Sequence, residues 1–288
     1  MRRPGVVVLI LFLIALVAPP HVAKAAISNP TVYAHRGGAG YAPENTMGAF
    51  RKTQALFGDR GVWLEMDTQA TKDGVLVIMH DDSVDRTTNC KGEVIALTLA
   101  QLGKCNAAAR YPSWPEIESI PTLREVLRAG KAGGWSLMVE IKNIPLESNF
   151  DVTGKKAAEL LVQLVHAENF PVSRLIVQSF WPGVLDNIRR IDKRISRALL
   201  TASTLPSVPV GIPALGNLAY DALAGHQIAA PDIASIGMNK QFISIAHRLG
   251  KQVVPWTVDD QLTMGQLRAW NADGVITNRP DRAYALYR

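Results

Sequence analysis

Short apolar runs alternate with helix-length amphipathic segments along most of this chain, and that alternation limits its fold more than any other feature. The runs cover residues 32–34, 63–70, 136–141, 175–178, 196–200, 252–257 and 274–277, with a weak one at 232–236. Between them, helical spacing of apolar residues recurs over 47–56, 154–168, 182–191, 239–249 and 260–270. Pro121-Thr122 opens a further helix, with Leu123, Val126 and Leu127 on its apolar face. Strands separated by helices of this length argue for a parallel sheet. About eight such units over roughly 250 residues make the size of a TIM (β/α)8 barrel. Nothing inside the chain reads as a linker, and 48% hydrophobic content over 288 residues supports one large core.

Some stretches depart from the alternation. Lys72-Asp73-Gly74 marks a turn, and residues 75–79 form the second strand of a hairpin with 63–70. Residues from about 83 to 121 are irregular, and they read as a small insertion placed over one end of the barrel after the second strand region. The proline-rich stretch 201–213 stays unassigned, and 215–226 is expected to be helical.

The first 25 residues stand apart. Arg2 and Arg3 precede an uncharged apolar run over 6–18, then Pro19-Pro20 and Ala23-Lys24-Ala25. A charged start, an apolar stretch and a small-x-small site read as a signal peptide, leaving 26–288 as the mature domain. The apolar run is short against the roughly 20 residues a membrane span needs. The expectation is therefore an exported protein, periplasmic or extracellular, with no membrane span after cleavage. Taking Arg2, Arg3 and Lys24 from the 31 basic residues leaves 28 against 25 acidic ones, net +3. No basic run or basic amphipathic helix points to nucleic acid. Cys90 and Cys105 lie close together in the irregular segment, and in an oxidising compartment they read as a local disulfide.

Polar residues gather at one end of the strands. His35 and Arg36 close the first run, and Glu65 and Asp67 lie late in the second. Glu140 and Lys142 come late in the 136–141 run, Gln178 ends the next, and Trp256 lies at the end of 252–257. Catalytic groups of TIM barrels occupy this end of the strands. Residues two apart on a strand share a face, so Glu65 and Asp67 project together. With Glu140 they offer three hard oxygen ligands, suited to Ca²⁺ or Mg²⁺. Arg36 and Lys142 can hold phosphate oxygens. His35 and His80, each following a strand, can move protons near neutral pH. These parts belong to phosphoryl chemistry.

In addition, the chain resembles the glycerophosphodiester phosphodiesterase family. The resemblance rests on H-R-G at 35–37, P-E-N-T at 43–46, Glu65-x-Asp67, and T-K-D-G-V-L-V-I-x-H-D at 71–81. It continues with D-R-T-T at 85–88, P-T-L at 121–123, E-I-K at 140–142, Q-S-F at 178–180, W-T-V at 256–258 and D-G-V-I-T-N-R-P-D at 273–281. It implies a TIM barrel that hydrolyses a small-molecule glycerophosphodiester to glycerol 3-phosphate and an alcohol. By the same resemblance a divalent metal sits at Glu65, Asp67 and Glu140, and His35 and His80 form the acid/base pair. Arg36 and Lys142 contact phosphate, Trp256 contacts substrate, and Glu44 and Gln178 support the site. The residues leave open which histidine is acid, which metal is used, which alcohol departs, and the oligomeric state. A phospholipase C- or D-like activity on lysolipids or lipids and a non-catalytic phosphodiester-binding role are the competing readings.

Overall fold

The computed structural model describes residues 29–145, 147–202, 224–233 and 239–287. Among these, eight strands run parallel: β1 (Thr31–Ala34), β2 (Trp63–Ala70), β4 (Ser136–Ile141), β5 (Leu175–Ser179), β6 (Ser196–Thr201), β7 (Ile228–Pro231), β8 (Gln252–Val253) and β9 (Gly274–Thr277). The remaining strand, β3 (Leu76–Ile78), folds back antiparallel on the end of β2. Their order is β8-β7-β6-β5-β4-β2-β1-β9. The two ends of that row meet through three backbone hydrogen bonds: Asp273 N–H to Val253 O, Ile276 N–H to Pro255 O and Val258 N–H to Ile276 O. The sheet therefore curls round into the expected TIM barrel.

The helices start where local chemistry satisfies their free N–H groups. Thr46 caps α1 (Met47–Phe57), and Thr98 with Gln101 boxes the short α2 (Leu99–Leu102). Thr122 with Glu125 closes a capping box on α3 (Leu123–Gly133). Gly154 precedes α4 (Lys155–Ala167), and Pro182 opens α5 (Pro182–Ile191). Asn239 caps α6 (Lys240–Arg248), Asp260 caps α7 (Gln261–Ala269), and Pro280 opens α8 (Pro280–Leu286).

Strand alternation sorts the side chains into two cores. Leu64, Met66, Leu137, Val139 and Val177 pack outward with helix residues such as Phe50, Leu127 and Leu161. Tyr33, Met138, Ile176, Ala198, Ile228, Val254 and Ile276 fill the barrel interior. On β2 the interior positions are therefore 63, 65, 67 and 69. Across the sheet, Asp67 pairs with Glu140 and Glu140 with Gln178, so these three form one row on the inner wall.

The structure revises several sequence expectations. Glu65 and Asp67 are the third and fifth residues of an eight-residue strand, because the last turn of β2 continues beyond the barrel to pair with β3. The strand expected at 232–236 is instead Ile228–Pro231. Its alanine pair lacks the β-branched signal that marks the other strands. Asp232 forms an isolated β-bridge with Trp256, and 234–238 lie outside the described residues. Of 252–257 only Gln252 and Val253 form a regular strand, and Pro255 lacks the N–H that a full ladder to β9 would need. Most of 201–213 and of the helix expected at 215–226 also lies outside the described residues, apart from Thr201, which extends β6, and its neighbour Ala202, and from residues 224–226.

The insertion carries a small core of its own, with Val77, Met79, Val84, Val94, Leu102 and Ile120 around Cys105. Cys90 and Cys105 form a disulfide with Cα atoms 5.5 Å apart. Closing a loop of this size stabilises by about 3 kcal/mol. Because the insertion core is separate from the barrel cores, the loss on removing the bridge should be local. The Cys90→Ser/Cys105→Ser protein is expected to gain protease cleavage within 83–121 while keeping the far-UV circular dichroism of the wild type. Simultaneous loss of the barrel spectrum would show the two cores to be one cooperative unit.

Candidate active site

Glu65, Asp67 and Glu140 bring carboxylate oxygens within 4.8 Å of one another, and all three are buried. Glu65 accepts from the Gln178 side-chain amide at 2.8 Å and from the Arg36 backbone N–H at 2.8 Å. Asp67 Oδ2 accepts from Asn45 Nδ2 at 2.8 Å, while its Oδ1 has no hydrogen-bond partner. Glu140 Oε1 lies 3.2 Å from Lys142 Nζ but is not aligned for a hydrogen bond. Burial raises the pKa of Glu65, and the charge of Asp67 raises it further. Burial also raises Glu140, against the pull of Lys142. Asp67 is buried as well, yet His80, Arg36, Lys142 and His35 together bring it down to about 2.

Three buried carboxylates repel one another, and a buried charge is tolerated only when it is compensated. Hard oxygen donors around one point, with Asp67 Oδ1 unsatisfied, fit a divalent cation of the calcium or magnesium kind. No zinc-type set of sulfur and nitrogen ligands accompanies them among the described residues.

The two imidazoles stand on different supports. His35 follows β1 in the tight turn His35–Gly37. Gly37 has φ of 80°, and a Cβ there would lie 2.7 Å from the Phe50 ring, so glycine is required. His35 Nδ1 is 2.8 Å from Asn278 Oδ1. Asn278 donates its own Nδ2 to Asp259 at 2.7 Å, which fixes the amide oxygen toward the ring. His35 Nδ1 therefore carries the hydrogen, and Nε2 keeps its lone pair. Burial, reinforced by Arg36, lowers the His35 pKa to about 4, so the ring is neutral at pH 7. His80 follows β3 and donates Nδ1–H to Asp81 Oδ1 at 2.6 Å. Its Nε2 is 3.5 Å from Lys142 Nζ. The Asp81 carboxyl is held well below the usual range despite partial burial, by the His80 and Arg86 contacts.

Arg36 reaches Glu44 at 2.9 Å and approaches Asp67 at 3.6 Å. Glu44 thus supports Arg36 and stands apart from the buried triad. These groups line a cavity of about 370 Å³, within the range of small-molecule sites. One wall is polar, formed by His35, Arg36, the triad, His80, Lys142 and Gln178. The facing wall is mainly apolar, with Ile144, Phe180, Leu200, Ala202, Trp256 and Ile276. Trp256 packs edge-on to Phe180 at 5.5 Å, and its indole N–H is used by Ala230 O, so it offers the cavity only its ring.

Every residue singled out from sequence for the polar site lies in or directly behind this cavity, and Cys90 and Cys105 lie in the insertion. Sequence reasoning missed several others. Asn45 and Asn278 sit inside the P-E-N-T and T-N-R-P segments, whose residues were matched without a role for either amide. Asp81 and Arg86 fall within or beside the quoted H-D and D-R-T-T segments. Glu147 lines the cavity with Oε2 buried and lacking a hydrogen-bond partner, and burial raises its pKa to about 7. No sequence signal marked it, because it lies in a loop after β4 outside every repeated pattern.

Comparison with known proteins agrees with the geometry. Residues 35–282 match the glycerophosphoryl diester phosphodiesterase family. A glycerophosphodiester phosphodiesterase of Caldanaerobacter subterraneus subsp. tengcongensis is 32% identical over 258 residues, covering 89% of this chain and 97% of that protein. Human glycerophosphodiester phosphodiesterase 1 is 34% identical over 253 residues, covering 78% and 71%. In fold, the chain is similar to an Oleispira antarctica phosphodiesterase solved with the product sn-glycerol-3-phosphate. That match has a TM-score of 0.74 at 24% identity, over 90% of this chain and 96% of the other.

The triad predicts cation-linked stability. A cation held by the folded state alone at a hundred times its Kd stabilises by about 2.7 kcal/mol, a rise in Tm of several degrees for a domain of this size. Calorimetry of chelator-treated protein with and without Ca²⁺ or Mg²⁺ measures it. Asp67→Asn should abolish the rise, and an unchanged Tm in the wild type at millimolar cation would rule out the site.

Proposed function

Because this chain belongs to the glycerophosphoryl diester phosphodiesterase family and is a phosphodiesterase of that kind, we propose that its polar cavity wall cleaves glycerophosphodiesters by histidine acid/base catalysis beside a divalent cation. The observation that carries this reading is the meeting of a buried carboxylate triad with two differently supported imidazoles in one cavity.

Glu65, Asp67 and Glu140 would hold Ca²⁺ or Mg²⁺, and when bound that cation supplies charge neutralisation and makes a nearby hydroxyl more acidic. Arg36 and Lys142 sit beside the triad, where they can bind the two free phosphate oxygens, the first as a fork and the second as a point charge. His35, neutral with Nε2 free, is the base that takes the proton of the glycerol 2-hydroxyl as that oxygen attacks phosphorus. His80 is the acid: Asp81 on Nδ1 stabilises its imidazolium, and Nε2 gives a proton to the departing alcohol oxygen. The phosphorus–alcohol bond breaks, leaving a cyclic phosphate. Water then opens the ring with the proton transfers reversed, giving glycerol 3-phosphate. An attacking group already tethered to the substrate has a high effective molarity. The alcohol lies toward Phe180 and Trp256, and Glu44 and Gln178 hold Arg36 and Glu65 in place.

Residues 1–25 are proposed as the signal peptide of an exported precursor. The charged, apolar and small-residue order supports this, and so does the Cys90–Cys105 disulfide, a bond of oxidising compartments. An intact mass of the protein recovered from its host beginning at residue 26 is the expected result.

Purified mature protein should release glycerol 3-phosphate from glycerophosphocholine or glycerophosphoethanolamine and leave a lysophospholipid largely intact. His35→Ala and His80→Ala should each lower kcat by about two to four orders of magnitude. A 4-nitrophenyl leaving group should restore much of the His80→Ala rate and none of the His35→Ala rate. His166→Ala and His247→Ala should change little, because these rings bind Asp192 and Asp273 away from the cavity. A 2-deoxyglycerol substrate should bind and scarcely react. Equal turnover of the deoxy and natural substrates, followed by phosphorus NMR, would replace the tethered attack with attack by water.

A further inference from the structure

One guanidinium joins the supports of the two halves of the polar wall. Arg86 Nη1 and Nη2 donate to Glu44 Oε2 and Oε1 at 2.8 and 2.7 Å. Its Nε and Nη2 donate to Asp81 Oδ2 and Oδ1 at 2.5 and 3.0 Å. Glu44 in turn holds the Arg36 guanidinium, and Asp81 holds His80 Nδ1. The planar fork therefore engages two carboxylates edge-on at once, one behind a phosphate-binding side chain and the other behind an acid/base side chain. Without it, Glu44 and Asp81 would face one another as like charges.

The residue is firmly presented. Arg86 stands between Val84 and Thr88, both fully buried in the insertion. Thr88 hydrogen-bonds back to Val84 through both its backbone N–H and its hydroxyl. The Arg86 side chain itself is 49% exposed, so its ion pairs add little to global stability. A half-exposed arginine that holds two buried-side supports is better suited to fixing geometry than to holding the fold.

We propose that Arg86 is a positioning residue for the reaction, fixing His80 through Asp81 and Arg36 through Glu44. The insertion is thereby a working part of the site, because it delivers the residue that sets the separation of the acid and the phosphate clamp. This rests on the acid/base reading of His80 given above. Small displacements of reacting groups lower rates by about a hundredfold, so the effect belongs in kcat more than in KM.

The test uses Arg86→Gln and Arg86→Lys in the full mature protein, with Arg124→Gln, a surface ion-pair residue on α3, as control. Both Arg86 variants should lose about 10- to 100-fold in kcat with KM within threefold and Tm nearly unchanged. Lysine keeps the charge and loses the fork, so its failure to rescue separates geometry from charge. Adding Arg86→Gln to Asp81→Asn should cost less than Arg86→Gln costs in the wild type, since the two changes share the path to His80 and only the path through Glu44 to Arg36 remains to be lost. A readout free of turnover is the downfield proton resonance of His80 Nδ1–H. It should broaden or vanish in Arg86→Gln while the His35 Nδ1–H signal stays. Wild-type kcat in both Arg86 variants, full rescue by lysine, or an unchanged His80 signal would overturn the proposal. Failure of the wild type to turn over glycerophosphodiesters would instead strike the catalytic reading, and the resonance would still decide whether Arg86 holds His80. Should Arg86→Gln not fold, Arg86→Lys carries the same measurements.

Discussion

The mutual repulsion of Glu65, Asp67 and Glu140 is the constraint around which the rest of the interior is arranged. Three carboxylates on one inner wall would oppose folding if left alone, since each has given up water. Their neighbours answer this in detail. The Gln178 amide and the Arg36 backbone N–H take both oxygens of Glu65, Asn45 takes one of Asp67, and Lys142 stands beside Glu140. These donors come from the ends of β1, β4 and β5 and from the turn before α1, so the site exists only once these neighbouring strands have paired. What remains uncompensated, Asp67 Oδ1 above all, is the part of the site that a cation fits.

The same packing gives the two histidines different partners. An amide oxygen supports His35 and a carboxylate supports His80. The first partner fixes a tautomer, and the second is a carboxylate that orients the ring through its Nδ1–H. Burial completes the distinction for His35, whose ring is driven toward the neutral form. In the proposed reaction, acid and base are thus distinguished by the atoms behind the rings, where sequence spacing carries no information.

That contrast explains how much of the molecule was legible beforehand. Short apolar runs located β2, β4 and β9 to the residue, because buried parallel strands leave an unmistakable apolar record. Thr122 announced its helix at the cap, and the helices at 239–249 and 260–270 were legible from their apolar spacing. The triad could be read because residues 65, 67 and 140 carry their charge inside apolar strands, where it has to be explained. β7 was misplaced because Ile228–Pro231 is short and alanine-rich, and β8 was overextended because Pro255 interrupts pairing without ending the apolar pattern. The support roles of Asn45, Asn278, Asp81 and Arg86 depend on contacts between residues as far as 243 positions apart, and no local pattern encodes them.

The cavity's two walls also come from different stretches of chain. The polar wall is drawn from β1 to β5 with their loops, and most of the apolar wall from the segments after β5 through β9. On the proposed reading, chemistry and selectivity are therefore written largely in separate parts of the sequence. On that reading, substitutions at Leu200, Ala202 or Trp256 would reshape the space for the departing alcohol while leaving the residues of the polar wall unchanged. A barrel divided in this way can change its diet without relearning its reaction.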